Sequence, residues 1–252
     1  MNEVTGARLD RRGLAVAILP ARGGSKRFPR KNIAPLAGRP LLAYPVAAAL
    51  QAKSIDAVYV STEDDEIAAV AEQWGASVPF RRPNELAGDL VPADAAVADM
   101  LRRLRDEQGL LIDIVVLIQP TSPFITPEHI DAAVARLRSE PELDSVTTMS
   151  ELDHRHHPYN LAFPCNGDRW EFVSAAERNA ARIRQSKPVA LKFGNLFAAR
   201  NETMLTEGRF GKVKGSVLID PIYSWDVDYP WELHAAESLI SGNFVSLPHL
   251  LS

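Results

Sequence analysis

Apolar runs and amphipathic stretches alternate along the chain. Residues 14–19 are apolar and end at Pro20, which predicts a buried strand. Residues 57–60, 112–118 and 145–149 repeat that signature, and 112–118, rich in β-branched residues, predicts a central strand. Residues 191–199 and 216–219 predict two returning strands.

Helical periodicity fills the gaps. Residues 40–52 read as a helix that Pro45 should bend or shorten. Ser61 and Thr62 offer N-caps to a helix with an acidic first turn, an apolar face of Ile67, Val70, Ala71 and Trp74, and Gly75 at its end. Val97, Met100, Leu101 and Leu104 recur at helical spacing until Gly109. Thr126 with Pro127 starts another helix, with Ile130, Val134 and Leu137 inward. A last helix over about 229–240 buries Leu233, Ala236, Leu239 and Ile240. The alternation predicts an α/β fold, a doubly wound, mostly parallel sheet with helices on both faces. Residues 14–252 form this one domain, and 1–13 are an N-terminal tail. Residues 150–190 break the rhythm and read as an insertion that covers the site or meets a second subunit.

Composition narrows the function. The 252 residues are 46% hydrophobic and 24% charged, ordinary for a folded protein. A formal net charge of −4 argues against bulk nucleic-acid binding. No apolar run approaches the roughly 18 residues of a membrane span, and no secretory leader is visible. Cys165 is the single cysteine, which fits a reducing cytoplasm. The charge is uneven: no Asp or Glu occurs between Asp10 and Asp56, and five Lys or Arg crowd into residues 22–31. A basic loop on an acidic protein points to an anionic small molecule.

Ligands of such sheets sit beyond the carboxyl ends of the strands. Three suspicious segments fall there: 22–32, 119–123 and 225–228. In the first, Gly23 and Gly24 let the backbone approach a phosphate and aim N–H groups at it, Ser25 adds a hydroxyl, Arg22 and Lys31 can clamp oxygens, and Asn32 can bond a ribose or base. It is neither a Walker loop nor a dinucleotide-binding glycine pattern. Asp226 and Asp228, alternating on a predicted strand end, can reach one hard cation such as Mg²⁺, although Asp228 alone also reads as the cap of the last helix. His154, His156 and His157 lack a partner ligand set at known zinc spacing.

The string from Pro20 to Asn32 resembles the signature of the acylneuraminate cytidylyltransferases, the CMP-sialic acid synthetases and their pseudaminic acid relatives. Arg82-Pro83-Asn84-Glu85-Leu86-Ala87 with Asp89, Gln119-Pro120-Thr121-Ser122-Pro123, and Asp226-Val227-Asp228 before a helix follow in the order of that family, over about residues 14–240. Arg27 and Ala43-Tyr44-Pro45 lean to the pseudaminic branch. The family has Asn-Gly where this chain has Gly194-Asn195, and the segment 90–93 lacks the usual Thr and Ser.

The resemblance implies a nucleotidyltransferase, Rossmann-like sheet, an insertion that joins two subunits into a homodimer, and a Mg²⁺ requirement. It implies that Arg22, Gly23, Ser25 and Lys31 hold the triphosphate of CTP, that Ala21, Asn32 and Arg82 hold the cytidine, and that Gln119, Thr121, Ser122 and Asn195 lie beside an acidic sugar. Asp226 and Asp228 would hold the metal. The implied reaction moves CMP from CTP to the anomeric hydroxyl of a nonulosonic acid, with release of pyrophosphate. Another acid, either a phosphonate or an eight-carbon ulosonic acid, a metal-dependent glycosyltransferase and a non-catalytic nucleotide-binding protein stay open as alternatives.

Overall fold

A computed structural model describes residues 13–250. The tail expected over residues 1–13 therefore lies outside the described residues except for Gly13. The first strand, β1, is Leu14–Pro20. After the basic loop come the two-residue strands β2 (Pro35–Leu36) and β3 (Arg39–Pro40), then helix α1 (Ala43–Gln51) and strand β4 (Ala57–Ser61). Helices α2 (Asp65–Gln73) and α3 (Ala93–Gln108) precede β5 (Ile112–Ile118), and α4 (Pro127–Ser139) precedes β6 (Ser145–Glu151). The irregular region holds the hairpin β7 (Ala162–Cys165) and β8 (Arg169–Phe172) and the short helix α5 (Ala175–Ala180). Strand β9 (Leu191–Arg200), helix α6 (Asn201–Thr206), strand β10 (Lys214–Leu218) and helix α7 (Pro230–Ser241) complete the chain.

The main sheet has the order β10-β6-β9-β5-β1-β4. Strand β1 runs parallel to β4 and β5, and β10 runs parallel to β6, while β9 is antiparallel to both of its neighbours. Both faces are covered. Ala15, Ala17 and Leu19 of β1 pack with Val46, Ile67 and Val134 of α1, α2 and α4. Leu14, Val16 and Ile18 pack with Leu104 and Met204 of α3 and α6. That two-sided burial is why β1, and β5 from Ile114 onward, read as unbroken apolar runs rather than alternating ones.

Several local expectations change. Asp64, not Ser61 or Thr62, caps α2, and its carboxylate accepts the Ile67 N–H at 3.0 Å. Pro45 sits in the first turn of α1, where a missing N–H costs no helical bond, so the helix is not interrupted there. Gly194 lies where β6 and β9 shift register between Thr147 and Met149. A Cβ there would stand 2.2 Å from Thr148 Oγ1, so the close approach of the two strands excludes any side chain.

Candidate active site

Parallel β1, β4 and β5 all end on one edge of the sheet, and each end delivers part of the site. Pro20 of β1 feeds the basic loop, Ser61 of β4 contacts Arg82, and Ile118 of β5 leads into Gln119. A cavity of ≈ 300 Å³ opens between them, lined by Pro20, Arg22, Ser25, Lys31, Asn32, Ala93, Leu117, Gln119, Pro120, Thr121 and Arg209. A second hollow, ≈ 400 Å³, shares Ser25 and is bounded by residues 23–26 and by Ala87, Gly88 and Asp89. Six residues singled out from the sequence thus share one cavity.

Four of the loop's five cations, all but Arg27, are paired with carboxylates. Arg22 Nη1 lies 2.9 Å from Asp89 Oδ1, and Lys26 bonds the other oxygen of the same carboxylate. Those two cations hold the Asp89 carboxyl below the usual carboxylate range, Lys26 contributing most. Lys31 Nζ lies 2.6 Å from Asp228 Oδ1. Arg30 instead serves the scaffold: its guanidinium bonds Asp64 and Glu66, tying the loop to the start of α2.

Gly23 packs closely in the scaffold: its N–H donates to Glu63 Oε1 at 2.7 Å, and a Cβ there would meet Asp64 Oδ2 at 2.6 Å. The glycine is needed for close packing of the loop against the α2 cap. Ala21 is fully buried, with its N–H bonded to the Ser61 carbonyl.

The base-side residues are buried. Asn32 donates from Nδ2 to the Arg22 carbonyl at 2.9 Å, while its Oδ1 is buried without a partner among the described residues. Arg82 donates from Nε to Ser61 Oγ at 3.1 Å and from a terminal nitrogen to the Ser61 carbonyl. Burial lowers the pKa of that guanidinium, and the charge of Arg22 pushes the same way.

The paired aspartates do not lie on a strand. Residues 225–228 form an extended link before α7. Val227 is fully buried and donates its N–H to the Thr121 carbonyl at 3.0 Å, so Asp226 and Asp228 flank an anchored residue. Thr121 also donates its hydroxyl to Asp226 Oδ1. The threonine therefore positions the acidic pair as well as lining the cavity. Burial raises the pKa of the Asp226 carboxyl, the Thr121 bond opposes that, and the Asp228 charge adds to it. The cap of α7 is Tyr229, not Asp228; Glu232 reaches back to accept the N–H groups of Asp228 and Tyr229, at 2.6 and 2.9 Å. Asp228 is thus released from the capping role. Two hard oxygen donors, one of them desolvated beside a like charge, fit a divalent cation such as Mg²⁺ that draws its other ligands from phosphate and water.

Two predicted sugar contacts fall elsewhere. Ser122 is fully buried, its hydroxyl lacking a partner among the described residues, and it does not line the cavity. Asn195 donates from Nδ2 to the Trp225 carbonyl at 2.9 Å, and its own backbone carbonyl accepts the Gln119 N–H at 3.1 Å. It braces both arms of the site from β9. His157 caps a short 3-10 turn, accepting the Tyr159 N–H at Nδ1.

Sequence reasoning missed Asp89 as a partner for Arg22, and Arg209 as a cavity wall. The visible signal for Arg209 is a cation bracketed by Gly208 and Gly211, both at positive φ.

Comparison with known proteins agrees with this geometry. The CMP-N,N'-diacetyllegionaminic acid synthase of Legionella pneumophila is 46% identical over 119 residues, which are 47% of this chain and 51% of that protein. The pseudaminic acid cytidylyltransferase of Campylobacter jejuni is 28% identical over 233 residues, 92% of this chain and 98% of that one. A solved CMP:2-keto-3-deoxy-manno-octonic acid synthetase, complexed with CTP, superposes with a TM-score of 0.69 at 18% identity, over 92% of this chain and 100% of that one. It shares the fold. The family model described as cytidylyltransferase matches residues 16–162, more than half of the sequence, and the chain belongs to that family.

Proposed function

We propose that the protein transfers CMP from CTP to the anomeric hydroxyl of a nonulosonic acid of the sialic, legionaminic or pseudaminic type, releasing pyrophosphate. The observation that carries this reading is the single cavity walled by Arg22, Ser25, Lys31, Asn32, Gln119 and Thr121 and edged by the Lys31–Asp228 pair. Relatives named for three such activities support it.

Arg22, Lys26 and Lys31 bind the triphosphate, leaving Asp89 and Asp228 as it arrives. Asn32 offers its unpaired oxygen to the cytosine amino group. Gln119 orients the acceptor, and Thr121 fixes the Asp226 carboxylate. Asp226 and Asp228 hold Mg²⁺, which when bound neutralises charge on the triphosphate. The acceptor hydroxyl attacks the α-phosphorus in line and pyrophosphate leaves; positioning and charge neutralisation supply the rate, since phosphoryl transfer needs little covalent help.

No helix among the described residues is long and apolar enough to cross a membrane. We place the enzyme in the cytoplasm, which agrees with its lone Cys165. We further propose a homodimer, supported by Phe163, Trp170 and Val173 of the insertion, which are 67%, 59% and 45% exposed in the single chain. The test of function is incubation with CTP, Mg²⁺ and a panel of sialic, legionaminic, pseudaminic and eight-carbon 3-deoxy-manno-octulosonic acids, with mass analysis of products. A CMP-linked nonulosonic acid is the expected product; free CMP alone contradicts the reading.

A further inference from the structure

Arg209 stands in the turn between α6 and β10 and lines the cavity together with residues of the basic loop. Its side chain is 17% exposed. Three contacts hold it. Its Nε donates to Asp94 Oδ1 at 2.6 Å, its backbone N–H donates to Asp94 Oδ2 at 3.3 Å, and its guanidinium lies 4.8 Å from the centre of the Phe197 ring. Gly208 and Gly211 tighten the turn around it: a Cβ on Gly208 would meet Asp94 Oδ2 at 2.8 Å, and one on Gly211 would meet Asp144 and Thr203. The two terminal nitrogens carry no such restraint. They form no hydrogen bond among the described residues. The result is a partly desolvated planar fork, fixed at its stem and open at its tip, the arrangement that receives a carboxylate through two parallel bonds.

Sheet order decides which substrate it meets. The cations read as triphosphate-binding follow β1, and Arg82 bonds Ser61 at the end of β4. Phe197 belongs to β9, on the far side of β5, where it pairs with the cavity residue Leu117. Arg209 thus packs against a residue of β9, while Gln119 and Thr121 follow the end of β5, the strand between β9 and β1. The other cations that line the cavity, Arg22 and Lys31, belong to the basic loop that the proposed function assigns to phosphate, which leaves Arg209 as the lining cation outside that loop.

We propose that Arg209, held by Asp94 and Phe197, binds the carboxylate of the acceptor acid and so restricts the enzyme to acidic sugars. The inference rests on the cytidylyltransferase reading above. Its test compares the wild-type enzyme with Arg209→Gln and Arg209→Lys. The probe is whichever of N-acetylneuraminic, legionaminic, pseudaminic or 3-deoxy-manno-octulosonic acid releases pyrophosphate fastest, used as the free acid and as its methyl ester, with CTP affinity measured separately by calorimetry. Arg209→Gln should raise KM for the acid about 10- to 100-fold, the scale of a lost charge-assisted hydrogen bond, and leave the Kd for CTP within about twofold. Arg209→Lys, which keeps the charge but loses the fork, should fall between. Wild type should discriminate against the ester, and Arg209→Gln should treat acid and ester alike. Should Arg209→Gln fail to fold, a raised acid KM with unaltered CTP affinity in Arg209→Lys supports the proposal in its place. An unchanged acid KM, retained discrimination against the ester, or an equal loss of CTP affinity overturns the proposal, the last by assigning Arg209 to phosphate. No pyrophosphate from wild type with any acid overturns the functional reading itself, and this inference with it.

Discussion

Lys31 Nζ lies 2.6 Å from Asp228 Oδ1, although 197 positions of sequence separate the two residues. The contact joins the basic loop to the acidic segment before α7. Each neutralises the other, so a triphosphate and a cation arriving together exchange one ion pair for two. Lys31 is 12% exposed and Asp228 51%, which places the pair at the mouth of the site.

Asp228→Asn tests that exchange. The helix cap is Tyr229, so the substitution leaves α7 intact. Turnover should fall by roughly 100- to 1000-fold, as for loss of one preorganised electrostatic group. Thermal stability should move by less than about 1 kcal/mol, because an exposed ion pair contributes little. Steady-state kinetics and a melting curve on the same sample check both halves.

Nucleotide choice tests the base side. The buried, unpaired Oδ1 of Asn32 can accept from the amino group of cytosine and faces only a carbonyl oxygen in uracil. CTP should be preferred to UTP by about 1–3 kcal/mol, or roughly 10- to 100-fold in kcat/KM. Asn32→Ala should erode that ratio, as measured with both nucleotides under competition.

Acid should loosen the packing around the start of α4. Burial lowers the pKa of both His129 and His249, with the Glu128 carboxylate opposing it in each case. His129 packs edge-on against Tyr223 at 5.4 Å, and its Nδ1 accepts the Thr126 N–H at the start of α4. Both imidazoles are neutral in the fold at a pH where the free side chain, with a pKa near ~6.5, takes up a proton. The unfolded chain then binds more protons than the folded one, so stability rises with pH up to about 7 and levels off above it. Denaturant titrations from about pH 5 to pH 8 should show this rise, and His129→Gln should flatten it.

Gly194→Ala tests the junction of β6 and β9. The new methyl group would meet Thr148 Oγ1 at 2.2 Å and the Thr148 carbonyl at 2.9 Å. A forced strand shift of this kind costs typically about 1–3 kcal/mol. Because Asn195 follows directly and braces Trp225, activity should fall alongside stability. Thr148→Ala in the same chain should restore part of both.

Periodicity reveals the strands and most helices, because two-sided burial writes itself as unbroken apolar runs and one-sided burial as helical spacing. It does not reveal that β9 runs antiparallel, since direction leaves no mark on hydropathy. The basic loop and Gln119 are legible because polar groups at the ends of buried strands have little structural reason to be there. Arg209 is not, because its importance comes from Asp94 and Phe197, the first 115 residues before it and the second on another strand. The packing role of Gly23 is hidden for a related reason: only the fold brings Asp64 into the space its side chain would fill. Asp228 reads equally as cap and ligand along the chain, and the reach of Glu232 to the two N–H groups separates the roles.

Whether one cavity joins CTP to an acidic sugar is tested most directly by the initial rate of pyrophosphate release with CTP and Mg²⁺, measured with and without each acid of the panel. The expected release requires both substrates, yields one CMP-linked acid per pyrophosphate, and collapses in Arg22→Ala and Lys31→Ala. Release of pyrophosphate at the same rate without any acid, or none with every acid supplied, would contradict it.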